Sequence, residues 1–166
     1  MKKKMATWTA TAVVFAWTGP LAAHHSLAQF DTTTPVRVKG TIARFERVNP
    51  HSQIYLDQTT EDGQIQRWAV DGPGATMLGR MGVDTDFLRA GDVIEVCGFI
   101  MKAGIPSQRA FPKPADVSPS SPAANMTVRF MSGHLLVMSD GTRRFWSDYG
   151  VLDKCLNPGE QRKDLL

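Results

Sequence analysis

The chain has 166 residues, with 19 lysines and arginines against 16 aspartates and glutamates, four histidines and two cysteines. This length supports one domain with a modest core. Lys2, Lys3 and Lys4 sit in an amino-terminal tag, and the rest of the chain balances sixteen bases against sixteen acids, which excludes the basic footprint of a nucleic-acid or other polyanion binder.

The opening stretch, MKKKMATWTATAVVFAWTGPLAA, reads as a secretory signal peptide over residues 1–23. Its apolar part, around Val13–Trp17, is too short for a membrane span, which takes roughly 20 residues. Cleavage after Ala23 places Leu21 and Ala23 at the recognition positions and makes His24 the first mature residue. The expected location is the periplasm or the exterior. Ser26–Gln29, "SLAQ", then fits a capping box that starts a helical turn.

After Pro35 the pattern becomes that of strands. "VRVKGTI" alternates Val36, Val38, Gly40 and Ile42 against polar residues, with the glycine marking a bend or bulge. "RVNPHS" breaks the run, because Pro50 lacks a donor and restricts Asn49. "QIYLDQT" resumes alternation through Ile54 and Leu56, and "IQRWAV" follows with Trp68 and Val70. Asp62-Gly63 between them signals a hairpin. A short helix is expected near Ala75–Met81, and "VIEVCGFIMKAG" gives the fourth strand. "IPSQRAFPKPADVSPSSPAAN" holds five of the ten prolines and reads as an exposed loop. "MTVRF" and "HLLVMSDGTRRFW" supply the last strands, and a polar tail ends the chain. Met126, Val128 and Phe130 alternate as a buried face would.

Five or six short strands, with one brief helix between the third and fourth, predict a small all-β barrel of the oligonucleotide/oligosaccharide-binding (OB) type. A β-sandwich is the alternative, disfavoured by the short strands and mid-chain helix. The expected organisation is a leader over 1–23, one barrel domain over 24–146 with an insertion loop at about 105–133, and a tail over 147–166. Cys97 and Cys155 form an even pair in an oxidising compartment and predict one disulfide, worth about 4 kcal/mol in the chain-entropy model.

Taken together, "AHHS", "VRVKGTIARFERVNPHS", "IYLD", "DGQIQRWAV", "LRAGDVIEVCGF" and "LVMSDGTRRF" resemble a family of small exported bacterial proteins defined only as a domain of unknown function. The resemblance covers roughly Ala23–Gly104 and Leu135–Phe145. It implies an exported, compact β domain and brings no activity with it. The chain departs from the pattern at about Ile105–Gly133, which looks inserted, and at Ser147–Leu166, which extends past the usual end. Cys97 and Cys155 suit that elaboration, with the bridge fastening the added tail to the barrel.

Four histidines carry the candidate chemistry: His24, His25, His51 and His134. An amino-terminal His24 offers an amine and a ring nitrogen, and one more imidazole completes a planar three-nitrogen set suited to Cu(II). His25 cannot easily complete that set beside His24, so His51, next to the "NP" turn, or His134 is needed. Against this, His51 can serve as a turn residue that hydrogen-bonds Asn49 or a backbone carbonyl. Cleavage after Ala22 instead would make His25 the third residue, another copper-chelating pattern. Met77, Met81, Met101, Met126, Met131 and Met138 offer thioethers for Cu(I), although core filling suits them better. Trp68, Tyr55, Phe45, Arg44 and Arg47 could line a stacking face, but Trp68 is in phase with Val70 and reads as core.

No nucleophile elbow, Walker loop, His-Glu-x-x-His or Cys-x-x-Cys is present. Asp57, Glu61, Asp62 and Asp71 are scattered over turns and strand ends. Ser26 and Ser52 each adjoin a histidine, but neighbours in an extended chain point to opposite faces. The sequence therefore predicts a non-catalytic exported protein that binds a small ligand, with Cu(II) the sharpest candidate. An accessory module of an envelope complex is the second class, and a copper-dependent redox enzyme the third.

Overall fold

A computed structural model of the chain describes residues 27–103, 128–148 and 150–165. The expected leader, His24, His25 and Met126 lie outside the described residues. The regular elements are β1 (Val36–Glu46), β2 (Gln53–Thr59), β3 (Ile65–Asp71), α1 (Ala75–Arg80), β4 (Val93–Ile100), β5 (Val128–Val137) and β6 (Arg143–Phe145).

Strands β1, β2 and β3 form an antiparallel meander, β1 also pairs β4, and β4 pairs β5. A parallel pairing of β3 with β5 closes these five strands into a barrel, and β6 adds along β5. The helix lies between β3 and β4, as the OB arrangement requires. Ring closure through β3–β5 removes the sandwich alternative.

One strand serves two neighbours. Val36–Thr41 of β1 pair with β4, and Thr41–Glu46 pair with β2. The turnover falls at Gly40 and at a bulge between Ile42 and Arg44. A Cβ at Gly40 would lie 2.5 Å from the Asp57 carbonyl oxygen, so a side chain there would hold the strands apart. The glycine that looked like a bend in the sequence is the barrel's corner.

The inner face follows the expected alternation: Val38 and Ile42, Ile54 and Leu56, Trp68 and Val70, Ile94 and Val96 all enter one core. Leu78 of α1 and Trp146 plug it. Two expectations for the last strands need correction. "MTVRF" and "HLLV" are not separate strands, because the chain runs through Ser132-Gly133 without a break and absorbs an extra residue. Gly133 pairs with Gly98 and Leu135 with Cys97, leaving His134 as the bulge. That shift also changes the buried phase: Met131 is the core residue, while Val128 and Phe130 are half-buried.

The expected disulfide is present. Cys97 and Cys155 are bonded, with their Cα atoms 5.8 Å apart. Residues that alternate with the core on β4 and β5, Cys97 and Leu135, form a second apolar cluster with Leu152, Cys155, Leu156 and Leu165. The polar-looking tail thus packs against the outside of the barrel. Arg37 and Arg143 both donate to the Cys155 carbonyl, at 2.8 and 3.2 Å, and Arg143 pairs with Glu160 at 2.7 Å. Among the described residues no helix is long and apolar enough to cross a membrane. A buried disulfide fits a protein of an oxidising compartment.

Candidate functional site

The β1–β2 loop, residues 47–52, is built to be rigid. Arg47 donates from Nε to the Val83 carbonyl (3.1 Å) and from Nη2 to the Ala75 carbonyl (2.8 Å). The Asn49 side-chain oxygen accepts from the Thr76 amide, and the Val48 carbonyl accepts from the Ala75 amide at 3.0 Å. These bonds cap the first turn of α1, whose N-cap, Gly74, has no side chain to do so. Beyond a cis Asn49–Pro50 bond, the Ser52 amide donates to the Pro73 carbonyl and its own carbonyl accepts from Gly72. The loop, the end of β3 and the start of α1 therefore form one hydrogen-bonded unit.

His51 sits in that unit. Its Nδ1 lies 2.7 Å from Asp71 Oδ2, and the Gln53 amide Nε2 donates to Asp71 Oδ1. The histidine side chain is 14% exposed and the aspartate 25%, so the pair opens at the barrel rim. The carboxylate on Nδ1 fixes the orientation of the ring. The sequence sets His51 beside the Asn49-Pro50 turn, with Asn49 or a backbone carbonyl as its expected partner. The partner is Asp71, which the sequence offers only as one of several scattered carboxylates, with Gln53 as its second contact. A two-residue Asp62-Gly63 turn would set Gln53 against Gly72; the turn takes in Glu61 as well, and the register that results sets Gln53 against Asp71.

His134 is in a different environment. It is fully buried in the β5 bulge, with Nδ1 donating to the Ser147 carbonyl (3.1 Å) and Nε2 facing the Ser132 hydroxyl (3.2 Å). Phe99 meets the ring edge-on at 5.3 Å between centroids. Burial pushes its pKa down to about 4, against a smaller opposing effect of the Ser147 bond. Serine, imidazole and carbonyl have the connectivity of a nucleophile and its base. With Ser132 at 2% exposure and His134 at 0%, they join β5 to the start of the tail and offer no face to a substrate.

The remaining candidates do not converge on one surface. Trp68 faces the core, and Phe45 packs against Trp146 with ring centroids 6.0 Å apart. Tyr55 lies on the outer face under Arg44, whose guanidinium sits 4.8 Å above the ring. Burial, then Glu46, raises the Tyr55 pKa. Arg47 is committed to the helix. Of the methionines, Met131 is core, Met81 and Met138 pack against the core, and Met77 is 49% exposed on α1. Among the described residues no three His, Cys, Asp or Glu side chains gather as a metal site, and both cysteines are in the disulfide.

A family model described as "Family of unknown function (DUF6152)" matches residues 12–108. The chain belongs to this family. The DUF6152 match takes in His24, His25, His51 and the His51–Asp71–Gln53 cluster, and it ends before His134, Cys155 and the strand that closes the barrel. No curated protein matches the chain.

Proposed function

We propose that this DUF6152 chain is an exported, non-catalytic binding protein that takes Cu(II) at the barrel rim. The ligands are His51 Nε2 together with the amine and ring of a processed amino-terminal His24. One observation carries the reading: the 2.7 Å contact between His51 Nδ1 and Asp71. A carboxylate on the distal ring nitrogen fixes the tautomer and raises the basicity of the ligating one, and metal-binding histidines almost always have such a partner. Nitrogen donors in this number favour Cu(II) over other divalent first-row ions. His134, with both ring nitrogens engaged in the interior, is left out of the set.

The test uses mature protein recovered from the periplasm, with its amino terminus mapped by mass spectrometry and Cu(II) binding measured by titration. The expected result is a chain starting at His24 and one submicromolar site lost in both His24→Ala and His51→Ala. Asp71→Asn should weaken binding about tenfold, the size of effect usual for a partner of a metal-binding imidazole. Binding that is absent, or insensitive to both histidine substitutions, refutes the reading and leaves the envelope-interaction module. Turnover of a reductant by the copper-loaded protein would overturn the non-catalytic part.

A further inference from the structure

Gln53 is an unusual residue to bury. It opens β2 on the outer face of the sheet, directly across from Asp71, and is 3% exposed. Its Nε2 donates to Asp71 Oδ1, which orients the amide, because the reverse would set two acceptors against each other. That orientation leaves Oε1 buried and without a hydrogen-bond partner. A desolvated carbonyl with no donor opposes folding, and an apolar side chain of the same shape would avoid the penalty. The position retains a group that the fold alone does not favour, and that group's one bond is to the carboxylate touching His51.

We infer that Gln53 is a positioning residue for His51, acting through Asp71. The carboxylate is gripped on both oxygens, Oδ1 by Gln53 and Oδ2 by His51 Nδ1. Holding Oδ1 sets the carboxylate plane, which keeps Oδ2 in line with the ring and the proton on Nδ1. Loss of the amide removes this constraint on the carboxylate plane, and the Nε2–H tautomer, which has no lone pair at Nε2, gains population. This inference rests on His51 being the ligating side chain but predicts an effect on the ring with no metal present.

The experiment compares the full mature chain with Gln53→Met, Asp71→Asn and the double variant. Ring nitrogen chemical shifts report the His51 tautomer in metal-free protein, and Cu(II) titration follows. Gln53→Met is expected to keep the fold, move the tautomer toward Nε2–H and weaken Cu(II) about tenfold. In the Asp71→Asn background the same change should do nothing further, since its route has been cut. A His51 tautomer unchanged in folded Gln53→Met overturns the inference whether or not copper binds. An additive effect in the double variant also overturns it. Should Gln53→Met fail to fold, Gln53→Leu, also without a donor and of similar volume, must move the tautomer in the same direction. A tautomer shift in protein that binds no copper would refute the copper reading and uphold this one.

Discussion

Replacing His134 with glutamine should remove a defined part of the fold's acid sensitivity. The imidazole is fully buried, and burial holds its pKa down at about 4 against an ordinary 6.5. The unfolded chain takes up this proton near pH 6.5, the folded chain only near pH 4. Stability is therefore whole above pH 6.5 and falls as the pH drops from 6.5 toward 4. A gap of about 2.5, at roughly 1.4 kcal/mol per unit, makes the total loss about 3 kcal/mol. Glutamine can still donate to the Ser147 carbonyl and accept from Ser132, but it does not titrate. Urea unfolding of the oxidised protein at half-unit steps between pH 4.5 and 7.5 should show wild type losing about 2 kcal/mol across that range. His134→Gln, less stable at neutral pH, should have a flatter profile by that amount. Asp31, Asp62 and Asp140 have lowered pKa values through bonds to Thr33, Thr60 and Thr142. Their contributions are present above about pH 4 and disappear below it, outside the window measured. Parallel profiles for wild type and variant would refute the assignment of a neutral, buried imidazole.

Two further outcomes follow from the packing. Cys97→Ala/Cys155→Ala opens a link spanning 58 residues and should lower unfolding free energy by about 4 kcal/mol; hydrogen exchange should quicken over residues 150–165 while β1–β3 stay protected, and uniform loosening would contradict a tail that rides on the barrel. Gly72→Ala would place a methyl group inside the Trp146 indole, so about 1–3 kcal/mol of destabilisation and an altered near-ultraviolet circular dichroism signal are expected; an unchanged spectrum would show that the indole does not rest on that backbone.

How far the sequence revealed the fold depended on where periodicity was intact. β2 and β3 were legible because Ile54, Leu56, Trp68 and Val70 alternate cleanly around an Asp-Gly turn. For β1 the alternation ends at Ile42, since the bulge at Ala43 reverses the phase and hides the continuation to Glu46. β5 looks like two strands for the same reason: a serine, a glycine and an extra histidine resemble a break when a strand is absorbing a bulge. The tail looks polar because its contribution to the second apolar cluster, Leu152, Cys155, Leu156 and Leu165, is sparse and carries no period. At the site, His51 was visible because proline marked its turn. Asp71 and Gln53 were not, because they become neighbours only through cross-strand register.

The parallel contact between β3 and β5 has a consequence for how this architecture tolerates change. β4 is held by β1 and β5 by β3, so the place of each strand is fixed by pairings elsewhere in the ring. Each doubling of a flexible connection adds only about 0.6 kcal/mol of closure entropy. A link between β4 and β5 can therefore change in length at little cost in stability, whereas the β2–β3 hairpin, which aligns Gln53 with Asp71, cannot slip without undoing that pairing.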